Sequence, residues 1–214
     1  MHKRRGSWTG KAARCCTRAW ALRGRKRRCW AKHFTALSQA EAGKANLLLT
    51  VEGGEAFADD LDRIDLLAER GVRIASLVWN NENPLAHPAS GASREGLTPL
   101  GLRAVARLNE RHIAVDVSHM NEAGTADCLR VSRAPIIATH SCCRALCEHP
   151  RNLTDDQLRA IFASDGFVGV NFYPSFLHPS GTADLDTVID HLDHMLALGG
   201  AKHVGLGSDF DGID

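Results

Sequence analysis

The sequence predicts an α/β fold, in which a parallel sheet covered by helices forms part of a (β/α)8 TIM barrel. Short apolar runs alternate with amphipathic helical segments from residue 45 onward, a pattern typical of strand–helix units in a parallel sheet. Polar residues close these runs, and in a barrel all such ends open on the face that holds active sites. A complete barrel typically needs about 250 residues. The 178 residues at 37–214 suit about six of the eight units.

A doubly wound open sheet is the alternative fold, but its ligand site lies at a switch point and does not use every strand end. Here a polar residue closes or nearly closes each of six runs, which favours the barrel. These residues are Glu52, Asn80, His119, His140, Tyr173 and Asp209. Because the regular pattern starts abruptly at the strand bearing Glu52, we expect the two absent strands to be the first two.

Six apolar runs are predicted as strands. They cover residues 46–53, 73–80, 113–119, 135–141, 167–174 and 203–209.

Five segments between these runs have helical spacing of apolar residues. They cover residues 56–71, 97–112, 121–132, 154–162 and 184–199. Gly71 is a predicted C-terminal cap. Thr98 and Thr154 are predicted N-caps, and Pro99 suits a first helical position.

Residues 1–36 form an atypical basic leader, which we expect not to belong to the domain at 37–214. The leader holds 12 of the 26 Lys and Arg residues and no acid, so 37–214 carry 14 basic against 25 acidic residues. An organelle transit peptide, a basic arm for nucleic acid and a stretch foreign to the domain remain open. We expect no specific nucleic-acid partner, because basic tails commonly bind polyanions without function.

The seven Cys residues lack the even spacing of a secreted disulfide scaffold. Free thiols predict a reducing compartment, and therefore a cytoplasmic location. No run approaches the ~18 apolar residues of a membrane span, so none is expected.

Glu52, His119, His140 and Asp209 place two carboxylates and two imidazoles on four strand ends. Imidazole suits zinc, and a Glu can bridge two metal ions. Two metals ~3.5–4 Å apart hold a shared hydroxide that is nucleophilic at neutral pH. An Asp could then take its proton and pass it to a leaving amine.

Two further groups of His and Cys residues are interpreted as structural, and not as metal sites. The cluster of His140, Cys142, Cys143, Cys147 and His149 lacks a C-x-x-C pair, which argues against a separate zinc site. His191 and His194 share a helix face that should cover the outside of the barrel, so a surface or interfacial location is expected for both.

With these residues in these positions, the sequence resembles the membrane dipeptidase (renal dipeptidase) family, peptidase family M19. The resemblance covers about residues 37–214, in order and at natural spacing, and looks incomplete at the N-terminus and the extreme C-terminus. The segments that carry it are TVEGGEA (50–56), GLTPLG (96–101), DVSH (116–119), ATHSCCRALCEHPRNL (138–153), GVNFYP (169–174) and HVGLGSDFDG (203–212).

The resemblance implies a zinc-dependent dipeptidase on an amidohydrolase-like barrel, and a homodimer. Glu52 would bridge two zinc ions, and His119 and His140 would bind the second. Arg151 would pair with the C-terminal carboxylate of the dipeptide, a task that suits its planar fork. Asp209 would handle protons and hold the substrate amine. Tyr173, with less support, would line the pocket.

Two departures from the family pattern bear on activity. The family's first strand supplies an H-x-D pair to the first zinc, yet neither histidine before Glu52, His2 or His33, has Asp two places on. Well-known animal members carry a His, which helps to stabilise the tetrahedral intermediate, where this chain has Trp79. We therefore predict that the family assignment is right and that this chain is a poor catalyst. The alternatives are a catalytically incomplete fragment or pseudoenzyme, and a polyanion-binding protein that uses the leader.

Overall fold

A computed structural model of the chain describes residues 48–213. The predicted leader, residues 1–36, lies outside the described residues. The strands are β1 (Leu49–Val51), β2 (Val72–Ser76), β3 (Ala114–Asp116), β4 (Ile137–Ala138), β5 (Phe167–Val170) and β6 (Val204–Leu206). The α-helices are α1 (Arg63–Glu69), α2 (Pro99–Glu110), α3 (Glu122–Val131), α4 (Asp155–Ala163), α5 (Pro174–Leu177) and α6 (Leu185–Ala197).

The six strands form one parallel sheet in the order β1-β2-β3-β4-β5-β6. Each strand therefore pairs with its neighbour along the chain, as in a barrel that is not closed within the described residues. This arrangement confirms the predicted partial barrel. The carboxyl ends of all six strands share one edge, where the candidate site lies.

Side chains of the sheet alternate between its two faces. One face carries a small apolar cluster in which Leu48 and Phe167 pack against Ile74, Ala114 and Ile137. The opposite face belongs to the large core shared with the helices.

Asp116 and Thr139 each lie two residues after a member of the small apolar cluster. Both therefore lie on the same face as that cluster, nearer the carboxyl edge, where they form a polar layer beneath the candidate site.

Side-chain caps fix where the main helices begin. The hydroxyls of Thr98 and Thr154 accept hydrogen bonds from Gly101 and Gln157, which confirms both predicted N-caps. Gly71 follows α1 with φ of 90°, a left-handed conformation that suits glycine at a helix C-terminus. No helix among residues 48–213 is long and apolar enough to span a membrane.

The first predicted helix, 56–71, is wrong at its start. The chain makes a 3-10 turn at Gly54–Ala56, and α1 begins only at Arg63. The Asp60 carboxylate accepts the backbone N–H of Asp62, and such local bonds compete with helix formation. The strands are also shorter than predicted, and α5 was not predicted.

Candidate metal centre

Three of the predicted metal ligands converge at the carboxyl edge of the sheet. Glu52 follows β1 directly, His119 lies three residues beyond β3, and His140 lies two residues beyond β4. One ligand atom from each lies within 4.8 Å of the others. No other such group of His, Cys, Asp and Glu occurs within residues 48–213.

Local turns aim these side chains into the site. Gly53 has φ of 95° and donates its N–H to the Ser76 hydroxyl at 2.7 Å, so the chain bends sharply after Glu52. Beyond β3, the N–H of Met120 donates to the Val117 carbonyl in a turn that contains His119. The site therefore depends on turns placed immediately after short strands.

The three ligand atoms lie at hydrogen-bonding distances from one another. The Nε2 atoms of His119 and His140 lie 3.0 and 3.2 Å from Glu52 Oε1. The two Nε2 atoms are 3.0 Å apart. Both imidazoles are buried, whereas the Glu52 side chain remains 19% exposed.

The other ring nitrogen of each histidine faces an acceptor. His119 Nδ1 lies 3.0 Å from Asn80 Oδ1, and His140 Nδ1 lies 2.7 Å from Thr139 Oγ1. With a cation at this point, protons on the two Nδ1 atoms would satisfy these contacts and leave both Nε2 lone pairs for the ion. Three electron-pair donors around one point form a set that fits a divalent cation such as zinc.

The protonation behaviour of two ligands agrees with this fit. Burial lowers the pKa of His119 to about 4, although the hydrogen bond to Glu52 opposes that shift. Burial alone would raise the pKa of Glu52, but the hydrogen bonds from His119 and His140 outweigh it and hold that pKa well below its usual range. Both groups therefore favour the proton-free forms that bind metals.

Asp209 lies beside the metal ligands at the end of β6. Its Oδ2 atom lies 3.9 Å from His140 Nε2 and accepts a hydrogen bond from Asn171 Nδ2 at 3.1 Å. The backbone of Asp209 is left-handed, with φ of 63°, a conformation that Asp tolerates better than most residues. This turn and the Asn171 amide hold the carboxylate at the site.

Arg151 is buried and 7% exposed, and its guanidinium is only partly satisfied. Its Nε donates to the Ser118 carbonyl at 2.8 Å, and its Cζ lies 5.1 Å from the centre of the Phe176 ring. Among the described residues, no group accepts a hydrogen bond from its buried Nη2. Burial lowers the pKa of Arg151 to about 10, against the opposing charges of Glu52, Asp209 and Asp116. The guanidinium thus stays charged at neutral pH with a donor available for an anion.

Tyr173 and Trp79 lie farther out. Tyr173 is 37% exposed, and its ring centre lies 4.8 Å from that of Phe176, the residue packed against Arg151. Trp79 is 40% exposed, with its ring centre 6.1 Å from that of His119. Tyr173 therefore borders the Arg151 side of the site, and Trp79 borders the metal side.

Of the two locations expected for His191, surface or interfacial, the structure shows the interfacial one. His191 is fully buried, its Nδ1 accepts the N–H of Cys143, and its Nε2 donates to the Leu177 carbonyl. His191 and Asp193 have the spacing of the H-x-D metal-ligand pair. Both ring nitrogens of His191, however, already form hydrogen bonds within the protein. His194 is interfacial as expected, since it contacts Asp155 on α4 at 2.8 Å.

Within residues 48–213, no three ligand atoms of the His/Cys segment 140–149 come together as a group that could hold a metal ion. The thiols of Cys142, Cys143 and Cys147 are free and buried, and each contacts a different backbone carbonyl. These cysteines pack the loop that carries Arg151.

Sequence reasoning missed several residues that support the site. Asp116, Thr139 and Asn171 all contact a predicted site residue or its neighbour. One signal could have identified them, because each is a polar residue at the end of an otherwise apolar strand. Phe176 gave no such signal.

Comparison with protein families and known structures points to one group. The family described as membrane dipeptidase (peptidase family M19) matches residues 18–214. An uncharacterized Klebsiella pneumoniae protein encoded in the pqqA 5′ region is 40% identical over 173 residues, which are 76% of this chain and 64% of that protein. An uncharacterized dipeptidase of Schizosaccharomyces pombe is 38% identical over 177 residues, which are 80% of this chain and 42% of that one.

The fold of this chain is also similar to that of a protein whose crystal structure is known. The metallo peptidase of Rhodobacter sphaeroides, liganded with a phosphinate mimic of the dipeptide L-Ala-D-Ala, is 41% identical with a TM-score of 0.72. The match covers 78% of this chain and 50% of that one. The chain thus spans about two fifths to two thirds of the length of these relatives.

Proposed function

This chain belongs to the membrane dipeptidase family, peptidase family M19, and on that premise we propose that it is a zinc-dependent dipeptidase. The observation that carries the proposal is the convergence of Glu52, His119 and His140 on one point. The unsatisfied guanidinium of Arg151 supports it, because a dipeptide offers a terminal carboxylate.

Glu52, His119 and His140 would hold one zinc ion, since imidazole and carboxylate donors suit this metal, and Glu52 would also serve a second ion. A bound divalent ion of this kind supplies Lewis-acid polarisation of the scissile carbonyl and activation of water at neutral pH. The chain's other residues bind and orient the substrate around that chemistry.

Arg151 would bind the terminal carboxylate through its Nη2, since charged pairs of this kind are strong and directional when buried. Asp209 would hold the substrate amine and transfer a proton from the attacking water to the leaving nitrogen. Tyr173 would line the pocket beside Phe176. The phosphinate dipeptide mimic bound by the Rhodobacter sphaeroides relative supports a dipeptide substrate.

A second candidate function is metal and ligand binding without efficient turnover. It is favoured by the lack of an H-x-D pair before Glu52, since metal affinity depends on ligand number and geometry. Under this proposal the chain is a pseudoenzyme that binds metal and ligand without efficient turnover.

Hydrolysis of a dipeptide panel that includes L-Ala-L-Ala and L-Ala-D-Ala, with added Zn²⁺, tests both candidates. A dipeptidase would show turnover that a chelator abolishes and that Glu52→Gln removes. The matched control is Glu55→Gln, because Glu55 is exposed and contacts Asn83 instead of the histidines. Zn²⁺ binding without turnover would favour the second candidate. Turnover that survives both the chelator and Glu52→Gln would contradict both.

We also propose a cytoplasmic location and a homodimer. The location is supported by the free thiols of Cys128, Cys142, Cys143 and Cys147, since disulfides are rare in reducing compartments. The homodimer is supported only by the family resemblance, and sedimentation at several concentrations tests it.

A further inference from the structure

Asp116 is a buried carboxylate beneath the candidate metal centre that contacts none of the three metal ligands with its own side chain. Its Oδ1 accepts the N–H of Ser118 at 3.0 Å, the hydroxyl of Ser118 at 2.6 Å and the N–H of Thr139 at 3.0 Å. Its Oδ2 accepts the hydroxyl of Thr139 at 2.5 Å. Four donors converge on one side chain, which matches the acceptor capacity of a carboxylate.

The Thr139 hydroxyl has only one hydrogen, and this hydrogen is directed at Asp116. Thr139 Oγ1 can therefore interact with His140 Nδ1, 2.7 Å away, only as an acceptor. His140 must then carry a proton on Nδ1 to make this bond. A neutral imidazole with its proton on Nδ1 has its Nε2 lone pair available to a metal ion at the point where Glu52 and His119 converge.

The backbone of His140 depends on the same carboxylate. The Ser118 hydroxyl donates to Asp116 and accepts the N–H of His140 at 3.1 Å. Asp116 thus orders one hydroxyl that fixes the position of His140 and another that fixes its tautomer.

We propose that Asp116 is a positioning residue that holds the proton of His140 on Nδ1, through the Thr139 hydroxyl, and so keeps Nε2 free to bind metal. The inference rests on the proposed metal site. His119 offers an internal comparison, because its Nδ1 faces Asn80 and has no such connection to Asp116.

Asp116→Asn tests this inference by reversing the direction of the Thr139 hydrogen bond. The two backbone N–H groups and the Ser118 hydroxyl require an oxygen at the Oδ1 position, so the amide nitrogen must replace Oδ2. That nitrogen donates to Thr139 Oγ1. The freed Thr139 hydrogen turns toward His140 Nδ1, which is 2.7 Å away, in preference to Ser118 Oγ at 3.2 Å. The proton of His140 then moves to Nε2, the position that a metal ion needs.

The measurement is ¹⁵N NMR of the histidine ring nitrogens in the metal-free full chain at one fixed pH near 8, with His140→Gln used to assign the signals. We expect His140 Nδ1 to be protonated in the wild type and to lose its proton in Asp116→Asn, while His119 stays unchanged. A proton that remains on Nδ1 in the variant would overturn the inference. Neither metal nor substrate is involved, so failure here is distinct from failure of the proposed dipeptidase activity.

Thr139→Val tests the connection itself and keeps the β-branched shape. Without the hydroxyl, His140 Nδ1 loses its acceptor, and the proton should move to Nε2, which faces Glu52. Asp116→Asn combined with Thr139→Val should give the same tautomer as Thr139→Val alone, and Thr139→Ser should restore the wild-type state. If Asp116→Asn does not fold, Thr139→Val still decides, since an unchanged Nδ1 proton there would overturn the inference.

Metal binding gives a second readout. A chromophoric chelator that competes for Zn²⁺ should report an affinity about 10–100-fold lower for Asp116→Asn than for wild type, the usual cost of removing such support. Thr139→Ser should leave the affinity close to that of wild type. Equal Zn²⁺ affinity in Asp116→Asn and wild type would refute the link between Asp116 and metal binding.

Discussion

Arg151 shows how a single residue can reveal the chemistry of a ligand. Burying a guanidinium is costly unless its donors are satisfied, yet its Nη2 has no acceptor among the described residues. The Ser118 carbonyl and the Phe176 ring hold the rest of the group in place. A carboxylate bound at Nη2 would satisfy this donor in a site where Glu52 and Asp209 otherwise supply only negative charge.

Arg151→Lys should raise the KM for dipeptides by about 10–100-fold, since a hydrogen bond to a charged group contributes about 1.5–3 kcal/mol. Lysine keeps the charge but lacks the planar fork that reaches the carboxylate. The measurement is steady-state hydrolysis of a dipeptide and of its C-terminal amide. The KM for the amide should rise much less than the KM for the dipeptide. Arg144→Lys is the control, because Arg144 pairs with Glu122 outside the site. Equal losses for both substrates would contradict carboxylate binding.

At the scale of elements, the position of α6 depends on one buried histidine. His191 joins this helix to the Cys143 backbone through Nδ1 and to the Leu177 carbonyl at the end of α5 through Nε2. Burial lowers its pKa, although the hydrogen bond to Leu177 opposes the shift. The neutral ring therefore connects two helices and the loop that carries Arg151.

The free energy of unfolding should fall with acid partly because of His191. Its pKa is lower in the folded chain than in the unfolded chain, so the unfolded chain binds more protons as pH falls below about 6.5. The stabilisation is complete above that pH and decreases below it, by at most about 1.4 kcal/mol per pH unit. Denaturant unfolding of wild type and His191→Gln should show a smaller difference at pH 5.5 than at pH 7.5. The exposed His178→Gln is the control, and a difference independent of pH would contradict the prediction.

The sequence allowed prediction of those elements whose signals are local. Thr98 and Thr154 cap helices where their spacing indicated, and Glu52, His119 and His140 converge because parallel strands end at one edge. Features that the sequence did not indicate depend on tertiary packing, or on local hydrogen bonds that compete with helix formation. For His191 the sequence left a surface and an interfacial location open, and the loop at Cys143, which covers it, decides between them. Because of the turn at Asp60, α1 begins later in the chain than predicted, and apolar spacing alone could not indicate this.

Across the whole molecule, the described sheet has two edges. Within residues 48–213, β1 and β6 each pair with a single neighbour. Leu206 on β6 is 57% exposed, and Phe210 just beyond it is 74% exposed. Exposed strand edges with apolar side chains favour pairing with another chain.

We therefore expect the purified chain to self-associate as its concentration rises. Leu206→Lys should lower the weight-average mass at a given concentration, because a charge on an edge strand opposes edge-to-edge pairing. Leu66→Lys is the matched control, since Leu66 is 48% exposed on α1, away from the sheet edge. Sedimentation velocity at several concentrations measures both. A wild-type chain that stays monomeric, or an equal response to the two substitutions, would show that the β6 edge does not cause association.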